Sequence, residues 1–244
     1  MNRLAKPRTP AFIQRLQWIL DPVGYLEGTH AAFPDIFMGT GIGFGDRIVL
    51  TSHPDAIQYL LTNDRREFYA PGELNLILEP LIGNSSLVTI EGDRHKKRRQ
   101  VIMPPFHGER LGTYGEQICA ITQEVMSSVP TGTPFTARSI TQRITLRVIC
   151  EIVFGLSGSE RADQIHTLLR ETADRFSSPL TSAMLFFTQL QQDLGPWSPW
   201  GYFLRLRAKL NELVYEELRD RREHPDPNRT DILSLLMAAQ YEDG

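Results

Sequence analysis

Apolar residues recur along most of this chain at the three- and four-residue steps of an amphipathic helix. Leu111, Tyr114, Ile118, Ile121 and Val125 make one such stripe, ended by Pro130, Gly132 and Pro134. A second helix is predicted after Ser139, carrying Ile140, Ile144, Val148, Ile149, Ile152 and Val153 and stopping at Gly155. Phe203, Leu206, Leu210, Val214 and Leu218 define a third, broken at Pro225 and Pro227. A fourth, with Ile232, Leu235, Leu236 and Ala239, starts near Thr230, whose hydroxyl is placed to cap it. It runs into Gln240–Gly244 with no closing element, so its stripe needs a partner from elsewhere.

Strand signals are confined to the beginning. Ile36 to Met38 and Arg47 to Thr51 are short runs of strand formers on either side of a glycine-rich stretch, Gly39 to Gly45. A dinucleotide cradle starting at Gly39 needs glycine where Phe44 stands, so a hairpin turn is the better reading. No repeat, low-complexity segment or linker interrupts the pattern, which predicts one mainly helical body over residues 1–244 with a small β element near its start.

Composition narrows the function classes. The hydrophobic fraction of 41% and charged fraction of 23% fit a globular chain rather than a disordered one. Twenty-six Lys/Arg against 29 Asp/Glu leave a net charge of −3, against a dedicated nucleic-acid binder. Two cysteines support neither a disulfide framework nor a four-ligand zinc site, which points to a reducing compartment. The apolar stretch Ala11 to Leu20 is broken by Gln14, Arg15 and Gln17, and Pro179 to Phe187 falls far short of the ~20 residues a spanning helix needs. The expectation is a soluble, cytoplasmic protein with no membrane partner.

The most unusual stretch is Glu91 to Phe106. Gly92 and Asp93 suit a helix start and Pro104-Pro105 forces a stop, so a helix from about Arg94 to Met103 is predicted. His95 and Arg99 then lie one turn apart on one face, with Ile102 and Met103 close by. An imidazole and a guanidinium bordered by apolar groups suit a ligand with two anionic oxygens and a greasy body. Arg94, His95 and Lys96 occupy the first turn, where positive charge is disfavoured by ~0.3–1 kcal/mol per group, and a bound anion relieves that cost. The competing reading is a plain solvated face. Nucleic-acid binding is disfavoured by the run's six-residue length and its lack of aromatic interleaving.

The string from Asn84 to Phe106 resembles the B–C loop and C helix of the cytochrome P450 haem-thiolate monooxygenases, soluble bacterial type. Gly92, His95, Arg98, Arg99, Pro104 and Phe106 match G-x-x-H/W-x-x-R-R followed by P-x-F. Phe33-Pro34, then His53 to Ile57 like a B helix, and the helices after Leu111, Ser139, Ser159, Trp200 and Thr230 like D to H, follow in the family's order over about residues 20–244. The resemblance implies the N-terminal part of the P450 fold, helices A to H with a small β-sheet, cut before the I helix. It implies haem as cofactor, not stably held by this chain alone, with His95 and Arg99 on its propionates. Tyr69 to Leu87 and Phe176 to Phe203 would line the pocket of a hydrophobic small-molecule substrate, through Leu74, Ile77, Leu87, Phe176, Leu180 and Met184; ordinary helical core is the alternative for each.

The same resemblance implies oxygen insertion driven by electrons from a ferredoxin or flavodoxin, docked near Lys96, Lys97 and Arg98. The family's I-helix acid/alcohol pair and its E-x-x-R motif are expected beyond residue 244, and the cysteine loop F-x-x-G-x-x-x-C-x-G does not occur in this chain. Cys119 has Gly115 in register but Gly112 and Ile121 where Phe and Gly belong, and Cys150 fails at Arg143 and Leu146. Both are expected to be structural thiols on helices, so no metal ligand is assigned. Three readings follow: one half of a monooxygenase completed by a separate C-terminal chain, a non-catalytic helical binding protein, or an inactive fragment.

Overall fold

A computed structural model describes residues 4–42, 47–63, 67–69 and 71–239. In chain order the elements are α1 (Ala11–Leu20), α2 (Pro22–Ala32), β1 (Ile36–Thr40), β2 (Arg47–Thr51), α3 (Pro54–Thr62), a 3-10 segment (Gly72–Leu78), α4 (Glu79–Ile82) and α5 (Gly92–Ile102). After a 3-10 turn (Pro104–Phe106) come α6 (Arg110–Ser127), α7 (Ala137–Val148), a π-helical segment (Ile149–Val153) and α8 (Glu160–Phe176). Then follow α9 (Pro179–Phe186), a 3-10 turn (Thr188–Leu190), α10 (Pro199–Glu223) and α11 (Ile232–Ala238). By contact the chain divides into two compact units, Met1–Lys96 with Ser178–Gln191, and Lys97–Ser177 with Gln192–Gly244.

The first unit is organised by one buried amide. Gln14 on α1 is 1% exposed. Its Nε2 donates to Thr9 O at 2.8 Å and Thr40 Oγ1 at 3.0 Å, and its Oε1 accepts from the Tyr25 hydroxyl at 3.0 Å and Thr40 N at 3.1 Å. Two donors and two lone pairs are thereby all used, which is what burying an amide requires. The glutamine that interrupts the apolar stretch in sequence is thus the knot tying α1 to α2 and β1. β1 and β2 pair antiparallel from Ile36↔Thr51 to Thr40↔Arg47, as a hairpin demands. Within the glycine-rich stretch, Gly39 and Thr40 belong to β1 and Gly41 has φ 74°; residues 43–46 lie outside the described residues.

The second unit buries Cys150, Leu156, Ala162, Ile165, Leu168, Leu206 and Leu213 as one cluster, where α8 packs on α10. Ser159 caps α8 by accepting from Ala162 N at 3.1 Å, and Ser198 caps α10 through Gly201 N at 3.1 Å. Two sequence expectations change here. The helix predicted to run to Gly155 turns into the π segment after Val148, with Phe154 N bonded to Ile149 O at 3.1 Å. The cap of α11 is Asp231 rather than Thr230, because its carboxylate accepts from Ser234 N at 2.9 Å.

Candidate functional site

α5 forms over the predicted interval, one or two residues earlier at each end. Its first intrahelical bond runs from His95 N to Glu91 O at 3.2 Å, which leaves the N–H groups of Gly92, Asp93 and Arg94 without a helical acceptor. Gly92 opens it with φ 60°, a conformation that favours glycine. The first five residues of α5 fall in the first unit and the remainder in the second.

On this helix His95 is half-buried and Arg99 exposed, one turn apart, followed by half-buried Ile102 and Met103. Their basic neighbours are engaged: Arg94 donates to Ser85 Oγ at 3.4 Å, and Lys96 lies 3.6 Å from the Asp93 carboxylate. Among the described residues, neither His95 nor Arg99 has a side-chain hydrogen bond or ion pair. A donor pair of this kind, with no protein acceptor, is suited to an external carboxylate.

The expected wall residues separate into two sets. Leu74 and Ile77 sit on the 3-10 segment and Met184 on α9, and these two elements pack together within the first unit. Met184 is buried and Ile77 half-buried, while Leu74 is 43% exposed. Leu87, half-buried, precedes α5 in the same unit. Leu180 lies on α9; its side chain is outside the described residues. Phe176 belongs to the second unit, where it packs edge-to-face on Phe203 with ring centroids 5.0 Å apart. That contact supports its core role rather than a free lining one.

Neither cysteine offers an iron ligand. Cys150 is buried in the π segment, and burial, helped by the neighbouring Glu151 charge, pushes its thiol up to about 11. The thiolate form is therefore suppressed. Cys119 is exposed on α6, so the expectation that it is a structural thiol does not hold. Among the described residues, no group of three or more His, Cys, Asp and Glu is placed to hold a metal, and no helix is long and apolar enough to cross a membrane.

Among the described residues, helices in this order, with one short hairpin near the start, define a known fold class. The structure superposes on retinoic acid-bound cyanobacterial CYP120A1 with a TM-score of 0.69 at 21% identity, covering 94% of this chain and 49% of that one. CYP102L1 gives 0.64 at 19%, over 98% and 51%. The Cytochrome P450 family model matches residues 26–244, and the chain belongs to that family. Cytochrome P450 135B1 of Mycobacterium tuberculosis is 31% identical over 252 residues, covering 98% of this chain and 49% of that protein. Cytochrome P450 138 of the same organism is 26% identical over 238 residues, 97% and 52% respectively. The chain spans about half the length of the curated relatives it matches.

Haem is the cofactor this family implies. The residues present fit one side of it: His95 and Arg99 supply carboxylate-binding donors that have no partner among the described residues, beside apolar Ile102 and Met103. They do not supply the sulfur side, since Cys150 is buried and Cys119 stands on a helix surface.

Proposed function

We propose that this chain is the N-terminal half of a haem-dependent monooxygenase, a partial single domain that anchors the haem propionates and walls the substrate pocket. When bound, haem would activate molecular oxygen for insertion of one atom into a C–H or C=C bond of a hydrophobic small molecule. The observation that carries the reading is the His95 and Arg99 pair on α5, without a partner among the described residues. His95 would donate a ring N–H to a propionate and Arg99 would add a charge-assisted bond, fixing the macrocycle against α5. Leu74, Ile77, Leu87 and Met184 of the first unit would face the substrate and exclude water. Lys96, Lys97 and Arg98 would meet an acidic ferredoxin or flavodoxin.

The iron's thiolate belongs to the family's cysteine loop, which this chain lacks. The purified chain with haemin and carbon monoxide should therefore show no red-shifted Soret band, whereas co-expression with a polypeptide carrying that loop should produce one. Removing one charge-assisted bond costs ~1.5–3 kcal/mol, so His95→Ala and Arg99→Ala should each weaken haemin binding about 10- to 100-fold. Unchanged affinity in both variants overturns the propionate reading.

A further inference from the structure

The segment bearing Leu74 and Ile77 reaches the start of α5 through a polar bridge. Glu91, the residue before α5, accepts from Gly72 N–H through Oε2 at 2.8 Å. The Glu91 carboxylate beside Tyr69, with partial desolvation and the Glu73 charge, pushes the phenol above its ordinary range. Asn75 Nδ2 donates to Val88 O at 2.9 Å. Between these bonds, Gly72 lies so close to the facing backbone that a Cβ would stand 2.8 Å from Ile90 C, Ile90 O and Thr89 C. Thr89 is buried, and its hydroxyl donates at 3.1 Å to Gly83 O and Ser86 O, stiffening the strip against which Gly72 rests. Residues 72–75 and 88–91 are thus laid side by side and stapled at both ends, all within the first unit.

Glu91 acts at both of its ends. Its carboxylate holds the apolar wall segment, and its carbonyl accepts the His95 N–H that starts α5. The carbonyl bond is made by the backbone and would be kept by any residue at this helix start, whereas the bond to Gly72 is the carboxylate's own.

We propose that Glu91 is a positioning residue that sets the wall carrying Leu74 and Ile77 against the first turn of α5, so that occupancy of the wall is felt at His95. The meaning of His95 here rests on the haem reading above; the bridge itself does not.

Amide hydrogen exchange on the purified full chain tests it. Glu91→Ala should speed exchange at Gly72 about 5- to 10-fold, the loss expected for one hydrogen bond, and should speed it at His95, while Ile165 in the α8 core stays protected and reports an intact fold. Glu91→Gln keeps a side-chain oxygen able to accept from Gly72 and should retain most of that protection. Tyr69→Phe should leave Gly72 protected. Haemin titration then reads the coupling, with affinity falling in Glu91→Ala and retained in Glu91→Gln. Wild-type protection at Gly72 in Glu91→Ala overturns the bridge, and faster exchange there with His95 exchange unchanged overturns the coupling. If the wild-type chain takes up no haemin, the functional reading falls, and the exchange comparison still decides the positioning role.

Discussion

Arg221 donates its Nε–H to Glu217 Oε1 at 2.7 Å with both side chains 5% exposed. The same guanidinium reaches Asp231 Oδ1 at 2.7 Å, Ser234 Oγ at 2.8 Å and the carbonyl of Phe154. Glu217 Oε2 also accepts from Arg161 at 2.6 Å. One cation therefore joins the C-terminal end of the second unit's longest helix, the cap of α11 and the end of the π segment.

Truncating one partner of a buried pair leaves the other charge stranded, which costs about 3–5 kcal/mol. Arg221→Ala should lower unfolding stability by that order in urea denaturation. Lys96→Ala, which removes a 3.6 Å pair whose side chains are 68% and 92% exposed, should change it by less than about 1 kcal/mol. Equal effects would show that the buried network contributes nothing special.

The network also sets a dependence on acid. Burial raises the carboxyls of Glu217 and Asp231, but hydrogen bonds outweigh it, from Arg221 and Arg161 for Glu217 and from Ser234 N–H and Arg221 for Asp231. Both are held below the usual carboxylate range. A depressed folded pKa gives stability that is complete above the unfolded value, about 4.3 for Glu and 3.9 for Asp, and that drains away as pH falls through the folded value. Urea midpoints should hold between pH 7 and 5 and fall below about 4. Glu217→Gln should be less stable at pH 7 and show a shallower acid slope.

Gly201 in the first turn of α10 has no room for a side chain, since a Cβ would meet Gly195 O at 2.2 Å and Asp193 Oδ1 at 2.6 Å. Gly201→Ala should destabilise by about 1–3 kcal/mol, as overpacking does. Gly28 on α2 has nothing within 4 Å of the same position, so Gly28→Ala should gain up to about 1 kcal/mol from helix propensity. Thermal melts of the two variants should move in opposite directions.

The two thiols should react at different rates. Cys119 is exposed, whereas Cys150 is buried with its thiol raised to about 11. Under native conditions at pH 8, a disulfide reagent such as DTNB should titrate one thiol quickly and the second only after denaturation. Cys119→Ser should abolish the fast phase; its survival would place Cys150 at the surface.

Much of the architecture was legible from spacing. In the predicted stripes Ile121, Val125, Phe203 and Leu206 are buried as amphipathic helices should be, whereas Leu111 and Ile118 are exposed and the buried Leu213 lies outside the predicted stripe. So was the one-turn separation of His95 and Arg99, which needs only a helix between Gly92 and Pro104. The π segment was not, because Ile149, Ile152 and Val153 continue the helical stripe without a break. Thr230 and Asp231 are adjacent residues that both cap helices well, and only the bond from Ser234 N and the reach of Arg221 select the second.

Hydrophobic periodicity by itself determined which helices form and which face each turns inward, because facing is a local property repeating every 3.6 residues. The order of motifs from Asn84 to Phe106 determined the family. Tertiary structure alone decided that Gln14 is a buried knot, that Phe176 packs on Phe203, and that Glu91 ties Gly72 to the start of α5. Arg221 and Phe154 are 67 residues apart in the chain. Polar contacts that close loops of such length have no period to announce them, and they exist only once the apolar faces have brought their partners within reach.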